Sequence, residues 1–391
     1  MRFIAGFFAL FFLLIPQSFS AFVKVKSTIK PTSVLGSDNN YHQVYELVIK
    51  PKKIKKGHQY TLKKIEILNK KTHKLITSYD GDALKPLVYM IKPDGVIINT
   101  TELDHDGQMV AFLYTSQANN AEISSKLIHR LSFIDKEYPE HTIEFEDAIV
   151  KRSKVPVDVI SSPVQGGGWL ASNGPGLLSS HRFAYLKVHG SYYIAQRFAI
   201  DWVRIDQKGN VFMPGTDRQL NENYLDYGVN IYSATDGTIT RVRNEFLDNA
   251  PGQIPIEVQN VDNACGNEIT VEMSNGHYAH YCHLKPDSMT VKAGDKVYQG
   301  QLIAALGNSG NSMGPHLHFH ISDNDSPLGS EGLPYIIKKF GMQITPEQVE
   351  EVGILDFHAS ETDLMDINMP GLIKTDAIPM LNGVYYFNNP T

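Results

Sequence analysis

The spacing of the apolar runs constrains the fold of this chain more than any other feature. Between residues 21 and 149 they are short and rich in β-branched side chains, at 44–49, 60–68, 75–79, 96–100, 109–114 and 127–134, with Pro, Gly, Asn and Asp between them. Runs of this length and chemistry predict strands packed as a β-sandwich rather than helices. Similar runs recur at 181–188, 192–203, 230–234, 237–242, 268–273, 278–284, 302–306 and 316–321, with Thr235-Asp236-Gly237 and Ser274-Asn275-Gly276 as turns between them. Helix patterning is nearly absent until Thr345-Pro346-Glu347-Gln348. There a Thr cap, a Pro at the first helical position and a Gln three after the cap predict a short helix closing at Gly353.

The fold class expected is therefore mainly β. Pro156, Pro163, Gly166, Gly167, Gly168, Gly174 and Pro175 mark 151–175 as a Pro/Gly-rich linker. It separates an N-terminal β-sandwich-like accessory domain at 21–150 from a second β domain at 176–325. A C-terminal extension at 326–391 is expected to be irregular apart from the short helix.

Arg2 precedes a near-continuous apolar run from 3 to 15, then Pro16 and Ser18-Phe19-Ser20-Ala21. This reads as a signal peptide at 1–20 cleaved after Ser20. The run is shorter than the ~20 apolar residues that span a bilayer. The chain is thus expected to be exported, periplasmic or secreted, without stable membrane insertion after cleavage. The 391 residues carry 36 Lys+Arg against 42 Asp+Glu, a net charge of -6, which argues against nucleic acid as a partner. Lys50, Lys52, Lys53, Lys55, Lys56, Lys63, Lys64, Lys70, Lys71 and Lys74 concentrate in the first region. They read as solvated faces and guarded strand edges rather than as a dock for an anionic envelope polymer. Two cysteines, Cys265 and Cys282, are too few for a four-cysteine zinc site. Any metal must be held by His and carboxylate, and whether the two cysteines are bridged after export stays open.

Six of the 15 histidines lie between 277 and 320: His277, His280, His283, His316, His318 and His320. In Gly314-Pro315-His316-Leu317-His318-Phe319-His320, strand alternation sets the three imidazoles on one face and Leu317 and Phe319 on the other. Imidazole suits zinc, and catalytic zinc sites use three protein ligands. In Tyr278-Ala279-His280-Tyr281-Cys282-His283-Leu284, alternation puts His283 with Tyr281 and Ala279, and His280 and Cys282 opposite.

Tyr281-Cys282-His283-Leu284, Val291-Lys292-Ala293-Gly294-Asp295-Lys296-Val297 with Gly300-Gln301, Leu306-Gly307-Asn308-Ser309-Gly310 and Gly314-Pro315-His316-Leu317-His318-Phe319 together resemble the core of the lysostaphin/LytM-type zinc metallopeptidases. The resemblance covers roughly 195–321, about a third of the chain, and leaves the N-terminal region uncovered. It implies a LytM-type antiparallel β-sheet peptidase domain that binds Zn2+ and cleaves peptidoglycan peptides in cross-links or stem peptides. It further implies His318 and Asp201 as zinc ligands, with His283 and His316 flanking the attacking water and the scissile carbonyl. Tyr281 and Tyr278 are considered as oxyanion donors, although tyrosines on strands are more often packing residues.

The sequence departs from the family four residues before Asp201, where the family keeps a His ligand and this chain has Arg197. A permanently protonated guanidinium has no lone pair for a metal. In one reading His181 supplies the missing ligand, through a hairpin of 181–188 with 192–201 that sets His181 opposite Ala199 if Val188 pairs with Tyr192. In the other the site is degenerate, and the domain is a zinc-free scaffold that binds the cell wall or regulates another wall hydrolase. The polar cluster of Asp201, His283, His316 and His318 favours the enzyme. Gly310-Asn311-Ser312-Met313-Gly314 matches the nucleophile-elbow pattern, but a Pro and a His-rich strand follow where a helix is required, so it reads as a turn.

Overall fold

The computed structural model describes residues 22–120, 123–351, 360 and 362–388. The expected signal peptide at 1–20, and Gly353 as the helix end, lie outside the described residues. Among the described residues no helix is long and apolar enough to cross a membrane.

The N-terminal region forms two antiparallel sheets. The first has the order Val23–Ser27, Tyr41–Pro51, Gln108–Gln117, Val88–Ile91 and Ile97–Asn99, with Ser33–Leu35 also on Tyr41–Pro51. The second has the order Thr142–Lys151, Lys126–Asp135, Tyr60–Asn69 and Leu75–Asp80, with Glu102–Leu103 on Tyr60–Asn69. Tyr45, Leu47, Ile49 and Leu113 from the first sheet and Ile65, Ile67, Leu131 and Phe133 from the second share one core. The strand Tyr41–Pro51 is buried on both faces, which explains its long apolar run. Its alternate residues Val44 and Val48 pack toward the second half of the chain, and Glu46 points the same way.

The second half is built on a 12-stranded sheet. Its order is Asp158–Ile160, Tyr335–Ile344, Val384–Phe387, Gly166–Ser172, Ile200–Arg204, Leu317–Ser322, Tyr278–Cys282, Glu268–Glu272, Gly237–Arg243 and Lys296–Val297. Gly332–Leu333 and Leu372–Ala377 are attached at the sides. The architecture is mainly β, as expected. On one face Ala279, Tyr281, Leu317, Phe319 and Ile321 form the core. The register pairs Cys282 with His318 and His280 with His320, so these four share the opposite face.

Two local expectations fail here. The segment 151–175, read as linker, contains the strands Asp158–Ile160 and Gly166–Ser172, the latter beside the Asp201 strand. Its glycines serve close packing: a Cβ on Gly167 would meet the Ile367 carbonyl at 1.9 Å, and Gly168, at φ +78, lies against the Ile205 carbonyl. The C-terminal extension likewise adds Tyr335–Ile344, Leu372–Ala377 and Val384–Phe387 to the sheet, so it is not irregular. Its strand signal is diluted by Lys338-Lys339 and by Gly341, where a Cβ would meet the Pro370 carbonyl at 1.7 Å. The helix Pro346–Glu351 forms as read, with Thr345 N–H donating to Gln348 Oε1 (2.9 Å) and Gln348 N–H to Thr345 Oγ1 (3.4 Å).

The expected 181–188/192–201 hairpin is a third correction. Only Leu186–Val188 and Ser191–Tyr193 pair, with Val188 opposite Ser191 rather than Tyr192. His181 sits instead on a single helical turn, Ser180–Phe183. The reason is tertiary: Arg182 and Phe183, apt for a strand by sequence, are drawn into the first N-terminal sheet.

Candidate metal centre

Asp201 and His318 are fixed by the sheet, because they are register partners on neighbouring strands. His318 Nδ1 lies 2.9 Å from Asp201 Oδ1, and His181 Nε2 lies 3.3 Å from Asp201 Oδ2. One ligand atom from each of His181, Asp201 and His318 falls within 4.8 Å of the others, and all three residues are buried. His316 Nε2 stands 3.5 Å from Asp201 Oδ1. The His283 ring centroid is 4.7 Å from that of His316 and 5.9 Å from that of His318. A cleft of about 370 Å³ is lined by all five residues together with Asn173, Gln196, Asn311 and Met313. The structure thus brings His181, Asp201, His283, His316 and His318 into one place.

The hydrogen bonds behind these side chains determine where their lone pairs point. His181 Nδ1 donates to the Asn173 carbonyl (2.9 Å), His283 Nδ1 to the Ser309 carbonyl (2.8 Å) and His316 Nδ1 to the Gly314 carbonyl (2.8 Å). A carbonyl only accepts, so the proton of each neutral ring sits on Nδ1 and Nε2 is bare. His320 Nε2 donates to the Pro327 carbonyl (2.9 Å), leaving its Nδ1 to accept from His318 Nε2 at 3.1 Å. His318 therefore presents a bare Nδ1 to the Asp201 carboxylate. Two imidazole lone pairs and one carboxylate converging in a buried space repel one another unless a cation lies among them. Two nitrogens and an oxygen are also what a three-ligand zinc site uses, so the donor set fits a divalent metal.

Charge effects follow the same geometry. Burial alone would raise the Asp201 carboxyl, but the imidazoles of His181 and His316 and, where a proton stands in for the cation, hydrogen bonds from His181 and His318 hold it well below the usual range. Burial would lower His181, and the Asp201 charge outweighs that and raises it. Burial pushes His283 well below its ordinary value, with His316 and His318 adding to the effect. Burial likewise lowers His318 and His320. Asn173, in the stretch read as linker, ties the centre together: its Nδ2 donates to Asp201 Oδ2 (2.9 Å) while its carbonyl holds His181. No sequence signal marked it. His320 was legible as part of the imidazole file, though not as the partner that sets the His318 tautomer.

The strand alternation expected for His283 does not hold. His283 follows the end of Tyr278–Cys282 and has φ 62, a left-handed conformation uncommon for a non-glycine residue. Its N–H donates to the Cys265 carbonyl (2.9 Å) and its own carbonyl accepts from Gly307 N–H (3.1 Å). This turn swings the ring to the same side as Cys282, so both line the cleft. Cys265 and Cys282 are joined by a disulfide. Tyr281 faces the core, accepting from Ala234 N–H, and Tyr278 pairs with Glu272, so neither reaches the cleft. Ser312 is buried in a turn and donates to Asn308 Oδ1 (2.7 Å).

Arg197 is directed away from the centre. Its guanidinium donates to Glu46 through Nε (3.2 Å) and Nη2 (2.9 Å), to Glu331 through Nη2 (2.7 Å) and to the Gly332 carbonyl through Nη1 (3.1 Å). It joins the first N-terminal sheet to the second half of the chain.

Residues 223–329 match the sequence profile of Peptidase family M23. The peptidoglycan DD-endopeptidase ShyA of Vibrio cholerae is 28% identical over 164 residues, 38% of this chain and 34% of the relative. ShyB of the same organism, also named a peptidoglycan DD-endopeptidase, is 30% identical over 119 residues, 29% of this chain and 24% of the relative. The matched part thus spans about a third or less of these relatives' own length. The solved catalytic domain of lysostaphin from Staphylococcus simulans aligns over 43% of this chain and 88% of that chain, at 20% identity and a TM-score of 0.23. The family match takes in His283, His316 and His318 and begins after His181 and Asp201, and on it the chain contains a domain of peptidase family M23.

Proposed function

We propose that this chain is a zinc-dependent endopeptidase that hydrolyses peptide bonds in peptidoglycan cross-links or stem peptides. In this reading it is exported, its catalytic domain is the half built on the 12-stranded sheet, and 21–150 is an accessory domain. The observation that carries it is the convergence of bare lone pairs from His181 Nε2 and His318 Nδ1 on Asp201. The relatedness to peptidoglycan endopeptidases supports the substrate class.

His181, Asp201 and His318 would hold the ion. A zinc ion there supplies, when bound, Lewis acidity toward the scissile carbonyl and the attacking water. The chain's own groups move the protons. Buried, neutral His283 accepts a proton from the water at Nε2, which its bond to Ser309 leaves bare. The imidazolium so formed returns that proton to the departing amine. His316, with its ring centroid 4.7 Å from that of His283, would help to orient the water and the scissile carbonyl from beside it. The exclusion of water around these buried rings strengthens each interaction.

The test is the zinc content of the mature chain purified without chelator, with His181→Ala and His318→Ala alongside, followed by digestion of purified peptidoglycan. The reading expects one zinc per chain, lost in both variants, and release of peptide fragments by the native chain alone. Zinc retained by His181→Ala would remove His181 from the ligand set. A chain that takes up no zinc after loading would leave the zinc-free scaffold.

A further inference from the structure

Among the three candidate ligands His181 is the exception in its support. Asp201 and His318 are locked by ladder pairing. His181 rides on the turn Ser180–Phe183, and a single helical turn is far too short to be stable by itself. Something outside it must hold it. On one side Asn173 does so: its carbonyl accepts from His181 Nδ1 (2.9 Å) and from Ser179 Oγ (2.8 Å). On the other side the next two residues enter the N-terminal sandwich. Arg182 is fully buried, and its Nη2 donates to the Leu113 carbonyl (2.9 Å), in the middle of the strand Gln108–Gln117. Its Nη1 donates to the Leu177 carbonyl (2.8 Å), and its guanidinium lies 5.6 Å from the centre of the Tyr114 ring. The Phe183 ring stands edge-on to Phe112 at 5.1 Å and lies 5.6 Å from Tyr89. Leu177 and Phe183 also pack on the sandwich core.

We propose that the N-terminal sandwich completes the metal centre by holding His181 in place, with Arg182 and Phe183 as positioning residues for that ligand. The proposal rests on the zinc reading above. A buried guanidinium is costly to desolvate unless its bonds are made, and Arg182 Nε already has no partner among the described residues, so the turn is held best where Leu113 offers its carbonyl to Nη2. A shift of the sandwich face carries the turn, and the imidazole with it, away from Asp201. Metal affinity and docking of the sandwich are then coupled, and the coupling is reciprocal.

Arg182→Met and Phe183→Ala test this in the full chain, each made in the native and in the His181→Ala background. Zinc affinity is read by competition with a chromophoric chelator, and the melting of the zinc-free chain is followed in parallel. Each variant is expected to weaken zinc binding by about tenfold or more in the native background, the usual effect of losing a partner behind a ligand. With His181 already removed, the same change is expected to alter residual binding by less than about twofold. Melting of the zinc-free chain should fall equally in both backgrounds. Equal loss of affinity in the two backgrounds, or no loss in the native one, overturns the positioning role while leaving the zinc centre. Phe183→Ala acts through packing alone and keeps the test open if Arg182→Met fails to fold. A native chain that binds no zinc overturns both this proposal and the zinc reading.

Discussion

The buried pair of Arg197 and Glu46 allows a quantitative test of how the two halves of the chain are joined. Both side chains are 0% exposed, whereas Glu331, the second partner of Arg197, is 23% exposed. Arg197→Met removes the cation that, among the described residues, is bonded to Glu46 and leaves that carboxylate buried with Thr28 Oγ1 as its hydrogen-bond donor (2.7 Å). Removing one partner of a buried pair costs about 3–5 kcal/mol, because the other charge stays uncompensated. Glu331→Gln should cost less than about 1 kcal/mol, since water reaches that group. Replacing both members, Arg197→Met with Glu46→Leu, should restore most of the loss, giving a coupling of at least about 2 kcal/mol. Trp169 and Trp202, the chain's 2 tryptophans, lie fully buried in the large sheet. Urea unfolding followed by their fluorescence therefore reads this half directly. Additive losses in the double variant, or a loss under about 1 kcal/mol for Arg197→Met, would refute the assignment of a desolvated, mutually dependent pair.

Three further outcomes are expected. His283→Ala should retain zinc and lower kcat by about 10²–10⁴-fold, as removal of a proton-transferring group does; a comparable loss of zinc would show instead that the ring belongs to the ligand set. Arg197→His in the His181→Ala background should not recover zinc binding, because position 197 faces Glu46 and not Asp201; recovered zinc in a binding titration would contradict this. His129, which donates to the Ala148 carbonyl (2.8 Å) and bonds Tyr45 OH, has its pKa lowered to about 4 by burial, which outweighs the backbone bond. The unfolded chain binds a proton here near pH 6.5 while the fold does not. Stability is thus full above about 6.5 and falls toward pH 4, by about 3 kcal/mol at most. Circular dichroism across urea and pH should show this slope, and a His129→Gln variant with an unchanged slope would exclude His129 as its source.

Strand parity was legible where it is a local property. Leu317 and Phe319 against His318 and His320 split onto two faces as alternation demands, and the Thr345–Gln348 cap closes on itself as written. What could not be read is set by contacts distant in sequence. Gly167 looks like linker chemistry until the Ile367 carbonyl is found against it. His283 breaks parity because the Cys265 and Gly307 backbones hold it at positive φ. The sequence anticipates the contact of His181 with Asp201, but through a long hairpin that in the fold stops at Leu186, short of His181.

Arg197 and His181 are best understood together. The sequence showed what Arg197 could not do, bind zinc, but not its purpose, because Glu46 lies 151 residues away. In the fold, Arg197 is bonded to Glu46 on Tyr41–Pro51, and Arg182 to Leu113 on the neighbouring strand Gln108–Gln117. These strands pair with Tyr45 opposite Leu113 and Glu46 opposite Phe112. Both arginines therefore dock on the same patch of one sheet, one register step apart. The arginine at the position where the family keeps a histidine fastens the sandwich to the large sheet, and the sandwich so fastened presents the carbonyl that Arg182 needs to hold His181. On the zinc reading, the arginine at 197 and the proposed ligand at 181 then depend on a single docking, and Glu46→Gln, with no atom near the cleft, should weaken zinc binding in the native chain and leave it unchanged once His181 is gone.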